Sequence, residues 1–371
     1  MNSRQRLLAA LEGRVPDHVP ISAYELCGFN SRAFENNDPS YKHVMDAIRA
    51  RTDCVCMWNP DCNATLFESS RPADIAVATE RDGNITTNHY TFTTPKGRLT
   101  RTTRQTDNIN TIWQTEHWCK YPEDVEVAMS HPFEPVDYDF SDFQRIAGEV
   151  GDKGIIMASL SDPLLMAADL MEFGEYTIWV MTETEHFART VELFHERNME
   201  NLRRMLDAGM VDLYRIVGPE YATPPFLPPR FFRRFIVPYI AEMAGLIHLK
   251  GAKVRLHCHG RVGQVLSMIL DTGADALDPC EAPPDGDITL AEIKSRTSGR
   301  LCLFGNIQLK TLEHGTEAEV EKQVKDCMTA AREGGAYVIM PTAAPINSPL
   351  SPVTERNYLR FISAASEFGV Y

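Results

Sequence analysis

The sequence predicts an α/β fold, a (β/α)8 TIM-type barrel with an antiparallel β-insertion near the N-terminus. Three observations predict it. From about residue 154 onward, strand-like and helix-like stretches alternate, an order that calls for parallel strands joined by right-handed crossovers. That many repeats favour a closed barrel over an open doubly wound sheet, and 371 residues suit one barrel carrying an insertion. Residues 82–118 change character: Thr, Tyr, Phe and Trp dominate between turn signals at Asp82-Gly83 and Pro95-Lys96-Gly97, the pattern of antiparallel hairpins. The whole chain, 1–371, reads as a single barrel domain.

The elements follow in order. Residues 1–14 form an amphipathic helix with Leu7, Leu8 and Leu11 on one face. Short strands are expected at 18–24, punctuated by Pro16 and Pro20, and at 53–58, ended by Asn59-Pro60-Asp61. After the insertion come a strand at 154–159, helices through 166–208, a strand at 212–217 and a helix at 229–250. Strands at 253–257, 274–277, 301–304 and 337–340 then alternate with helices at 262–272, 289–297, 317–333 and 354–367. Gly251, Gly273, Gly299 and Gly334-Gly335 stand where helix C-caps belong.

Composition excludes several function classes. A formal net charge of −14 argues against nucleic acid, whose phosphates need excess Lys and Arg. No apolar run approaches the roughly 20 residues of a membrane span, and Arg4, Arg6, Glu12 and Arg14 break any signal-peptide core. The nine cysteines are an odd number without a disulfide framework, which predicts reduced thiols and a cytoplasmic protein. No Gly-x-Gly-x-x-Gly follows a strand, no Walker loop is present, and no Gly-x-Ser-x-Gly elbow suggests a hydrolase.

In such a barrel the reactive groups lie at the carboxyl ends of strands. Those positions hold Glu220, then His257-Cys258-His259, then Asp278-Pro279-Cys280-Glu281, then Gly305-Asn306. On an extended segment His257 and His259 face one side and Cys258 the other, so two imidazoles about 7 Å apart at Cα can share a metal. The plainer alternative is a hydrogen-bonded His pair. Glu220, Cys280 and Glu281 are each candidates for a third ligand. Cys258 reads as a small buried hydrophobe. Cys54 and Cys56 share a strand face, and His89, Glu116 and His117 read as polar groups of the insertion. Asn306 either orients a substrate or caps the next helix.

The stretch from Arg4 to Pro20, RQRLLAALEGRVPDHVP, resembles the start of uroporphyrinogen decarboxylase family proteins. So do Pro229-Arg230-Phe231-Phe232, the strand end from Leu256 to Gly260, the Gly286-Asp287 turn and Gly305-Asn306. The family contains decarboxylases and cobalamin-dependent methyltransferases. Decarboxylases of the family grip their substrate carboxylates with an Arg-x-x-Gly-Arg-type segment. Residues 24–40 here offer only Arg32, a poor cradle for an octa-acid. The methyltransferases bind zinc with a His-x-Cys pair and a distant Cys near the last strand. This chain has His257 in the first position, His259 in place of the Cys, and no Cys in residues 341–345.

The resemblance therefore implies a zinc-dependent methyltransferase. It would move a methyl group from a small molecule to a corrinoid, with His257, His259, Cys280 and Glu281 around the metal and Glu220 and Asn306 acting on the substrate. A His/carboxylate set is harder than a thiolate set and suits an O-methyl donor. No Asp-x-His-x-x-Gly motif is present, so the corrinoid is expected on a separate protein. The resemblance also implies a homodimer. A metal-independent decarboxylase and a non-catalytic binding barrel are the competing expectations.

Overall fold

Seven parallel strands follow one another around a curled sheet in the order in which they occur in the chain: Cys54–Met57, Gly154–Ser161, Leu213–Val217, Lys253–His257, Ala276–Asp278, Cys302–Ile307 and Tyr337–Pro341. The computed structural model describes all residues, Met1 to Tyr371. Residues 20–22 take the eighth position. Ile21 bridges Ile339 in parallel, and Ser22 N–H donates to Ile339 O at 2.9 Å. On the other side Asp53 N–H donates to Ile21 O at 2.7 Å, while Ile21 N–H donates to the Asp53 carboxylate at 2.9 Å. The ring is thus closed between its first and last strands. The expected strand at 18–24 shrinks to this bridge because Pro20 has no N–H and a side chain takes the place of a ladder acceptor.

Contacts divide the chain into two compact units: residues 1–60, 141–160 and 210–371, and residues 61–140 with 161–209. In the first, Val55, Ile155, Met157, Leu213, Ala276, Cys302, Phe304, Val338 and Met340 form the barrel's apolar filling. The helix Ser3–Leu11 adds Leu7, Ala10 and Leu11 to that cluster, and Asn2 and Gln5 start it with a reciprocal capping box. Burying each such aliphatic side chain contributes on the order of 1.5–3 kcal/mol. The helix expected at 229–250 is two, Pro229–Phe235 and Val237–Leu249. The break falls at Ile236, and Pro238 in the second helix's first turn lacks the N–H a continuous helix would need.

The second unit holds an antiparallel sheet of Asp74–Asp82, Ile85–Thr94, Gly97–Thr106 and Trp113–Glu116. Two-residue loops join the first three strands, between the paired ends Asp82 and Ile85 and the paired ends Thr94 and Gly97. Phe92 and Leu99 are buried on one face. The sheet begins earlier than the composition shift at residue 82 suggested: Asp74–Asp82 is an almost wholly exposed edge strand, without the aromatic residues that mark 85–118. The unit's helices are Asp124–Met129, Pro163–Ala168, Phe173–Thr182 and Thr184–Ala208. All nine cysteines are free, and no helix is long and apolar enough to cross a membrane.

Candidate active site

A polar layer lies on the barrel's apolar filling. Leu213 and Ala276 belong to the filling, so the residues two further along their strands, Arg215 and Asp278, face the same interior. In the parallel ladder Arg215 pairs with Arg255, and His257 with Asp278. Register alone thus brings two arginines, a histidine and a carboxylate together near the carboxyl ends of adjacent strands.

Asp278 is the hub and is fully buried. Arg255 Nε stands 2.9 Å from its Oδ1, Arg255 donates to Oδ2 at 3.4 Å, and His257 Nδ1 lies 2.9 Å from Oδ2. The Nε–Oδ1 pair is close but misaligned, since neither atom makes a hydrogen bond. Burial works to raise the Asp278 pKa, yet Arg255, His257 and Arg215 together hold it well below the usual carboxylate range. The Arg255 guanidinium also lies 4.9 Å over the Phe304 ring. Arg215 donates to Glu25 at 2.8 Å and to the Tyr24 hydroxyl at 2.6 Å. Burial and the Asp278 charge push the Tyr24 phenol up.

The two predicted histidines stand together, ring centroids 4.6 Å apart and nearly perpendicular. Burial lowers the His257 pKa despite the Asp278 carboxylate, so the ring is neutral at pH 7, with Nδ1–H toward that carboxylate by hydrogen-bond logic. His259 Nδ1 is 3.0 Å from Glu281. Its desolvation is outweighed by Glu281, Glu220 and Asp278, which raise its pKa. Glu281 is opposed by burial and lowered by the His259 contact.

The other predicted residues take different places. Glu220 sits in the short turn Pro219–Ala222, where Oε2 accepts from Gly218 N–H at 3.1 Å, and its charge is felt at His259. Cys280 is fully buried, its Sγ directed to Leu277 O at 3.5 Å, and burial pushes the thiol up. Glu281 meets His259 as a hydrogen-bond partner. Asn306 lies within its strand. Its Nδ2 donates to Cys280 O at 2.6 Å and its Oδ1 accepts from Cys327 at 3.3 Å, so the amide braces the turn after Asp278. Gly305 is needed beside it: at φ 148° a Cβ would meet Pro279 O at 2.1 Å.

Sequence reasoning missed Arg215, Arg255, Tyr24 and Glu25. A signal was present. An arginine stands in the middle of each of two adjacent apolar strands, LYRIV and KVRLH, and such a residue is buried only against a counter-charge. Arg32, in contrast, is half exposed and 3.3 Å from Asp142.

The donor set tests whether zinc fits. A zinc centre takes three or four ligands, and no group of three or more His, Cys, Asp or Glu is arranged to hold a metal ion. What the chain supplies is a pair of imidazoles whose Nδ1 atoms are held by carboxylates, the arrangement that leaves Nε2 for a metal. The pair fits an ion taking two protein nitrogens and completed by other donors. It does not fit a thiolate site.

A model of the family described as uroporphyrinogen decarboxylase (URO-D) matches residues 116–354. The methylcobamide:CoM methyltransferase MtaA of Methanosarcina barkeri is 26% identical over 221 residues, and that of the Fusaro strain 25%. The match covers 59% of this chain, which spans 60% of the length of those relatives. A methyltransferase structure from Methanosarcina mazei superposes with a TM-score of 0.65 at 19% identity over 99% of both chains, a likeness of fold. The chain belongs to the uroporphyrinogen decarboxylase family.

Proposed function

We propose that this chain is a methyltransferase that moves a methyl group from a small O-methyl compound to a reduced corrinoid carried by a separate protein. The observation that carries the reading is the pair of imidazoles at 4.6 Å, each fixed by its own carboxylate at the carboxyl end of a barrel strand. The methyltransferase relatives support it. In the reaction the methyl carbon bonds to cobalt with the corrinoid's electron pair, the C–O bond breaks, and the oxygen leaves with that bond's pair and gains a proton.

The chain's residues would divide the work. Asp278 and Glu281 lock the two rings and set which nitrogen each presents. Nε2 of His257 and of His259 would hold zinc, with Glu220 as the neighbouring carboxylate; when bound, the metal would supply Lewis-acid stabilisation of the departing oxygen. Arg215, whose Nε has no hydrogen-bond partner, places positive charge near where negative charge develops. Cys280 and Asn306 shape the turn that carries Asp278 and Glu281.

Metal analysis of protein purified without chelator tests the zinc reading. About one zinc per chain is expected, lost in His257→Ala and His259→Ala. Metal-free protein whose zinc affinity is unchanged in His257→Ala overturns it. Release of CO2 from a carboxylated tetrapyrrole without metal would instead establish the decarboxylase.

A further inference from the structure

We propose that the second unit carries a ligand site of its own, for a small zwitterion of the amino-acid class with an apolar side chain. The site is a cavity of about 400 Å³ lined only by residues of that unit, Phe67, Glu68, Arg101, Trp118, Asp169 and Phe194 among them. Its volume lies within the range of small-molecule pockets. It shares no residue with the histidine pair and does not depend on the methyl-transfer reading.

Two observations ask for an anionic group. The Arg101 guanidinium is held 4.9 Å over Tyr90 and 5.3 Å over Trp118, yet its Nε is buried without a hydrogen-bond partner. Trp118 is 4% exposed, and its indole N–H has no partner either. An unmet buried donor costs roughly 1–3 kcal/mol; both residues line the cavity, and the Arg101 guanidinium there has no ion-pair partner. A carboxylate in the cavity gives the Arg101 guanidinium the ion-pair partner it lacks.

Two others ask for a cation. Glu68 and Asp169 line the same cavity and make no side-chain hydrogen bond or ion pair. Desolvation raises the pKa of each, only partly offset by Arg197 at Glu68 and by His117 and Arg101 at Asp169. An ammonium group beside either carboxylate favours its charged form. Trp118, Phe67 and Phe194, the last two with ring centroids 6.5 Å apart, supply an apolar wall for a side chain. A ligand with one charge alone would leave the opposite group uncompensated. A zwitterion pairs both.

The test uses the full chain and three matched probes, L-phenylalanine, 3-phenylpropionate and 2-phenylethylamine, titrated by calorimetry and by saturation-transfer NMR. L-phenylalanine should bind saturably at one per chain, and each half-ligand at least about tenfold more weakly, the equivalent of 1.4 kcal/mol. Arg101→Met should weaken L-phenylalanine about tenfold and leave 2-phenylethylamine unchanged. Because Arg101 also stacks on two rings, Glu68→Gln is the second variant, and it should weaken L-phenylalanine and the amine but not 3-phenylpropionate. The proposal is overturned by no saturable binding of L-phenylalanine, by 3-phenylpropionate binding as tightly, or by folded variants that bind it as the parent does.

Discussion

Asp278→Asn tests the electrostatics on which the barrel's polar layer rests. The substitution keeps the shape and an oxygen for His257 but removes the only fully buried carboxylate beside two buried arginines, Arg255 at 2% and Arg215 at 5% exposure. Glu25, the other counter-charge, makes its direct contact with Arg215 and is 45% exposed. Breaking a buried pair by removing one partner costs about 3–5 kcal/mol, because the remaining charge has lost both water and its counter-ion. At roughly 2–4 °C per kcal/mol for domains of 150–250 residues, the melting temperature should fall by about 6 °C or more. Arg255→Met in the same chain removes the stranded cation, so the double variant should recover about 2 kcal/mol relative to the sum of the singles. Urea unfolding by circular dichroism measures the cycle, and hydrogen exchange in Lys253–His257 assigns the loss to the barrel. An Asn variant costing under about 1 kcal/mol, or two singles that simply add, would refute the reasoning.

Three further outcomes are expected. Glu35 is 5% exposed, and burial, with Cys27 beside it, pushes its carboxyl up to about 7. The folded state therefore holds its proton more tightly than the unfolded state, so stability falls as pH rises from about 4.5 through 7, by up to about 3 kcal/mol. Glu35→Gln should match the parent near pH 4 and exceed it near pH 8 in urea unfolding; a pH-independent difference would contradict this. Gly305→Ala should destabilise the barrel by about 2 kcal/mol or more, since both the positive φ and the Pro279 carbonyl oppose a Cβ; unchanged unfolding would show that the strand yields. Glu281→Gln should lower the His259 pKa, read by NMR titration of the imidazole, because the carboxylate that raises it is gone; an unmoved titration would show the contact to be idle.

The barrel was legible because its signal is redundant: apolar strands of similar length recur between helices, and the carboxyl ends of those strands hold the reactive side chains. His257, His259 and Glu281 were found that way and do lie together. What the linear pattern could not show was direction. Cys280 and Glu281 are neighbours in the chain, but the left-handed backbone at Cys280 leaves its thiol against Leu277 O while Glu281 meets His259. Nor could it show register. Arg215 and Arg255 each signal a buried counter-charge, but only the pairing of their strands reveals two guanidinium groups around one carboxylate. The edge strand Asp74–Asp82 escaped because it is exposed on both faces, so Ile75, Val77 and Thr79 alternate with no buried apolar face to mark it, and its partner holds it by hydrogen bonds.

The claim that the histidine pair serves methyl transfer is tested most directly by mixing the purified protein with chemically reduced cobalamin and a methyl aryl ether, and following the visible spectrum. Methylcobalamin should form in proportion to protein, and His257→Ala and His259→Ala should each slow it by at least about 100-fold while remaining folded. No methyl transfer in either direction, or variants as active as the parent, would contradict the account.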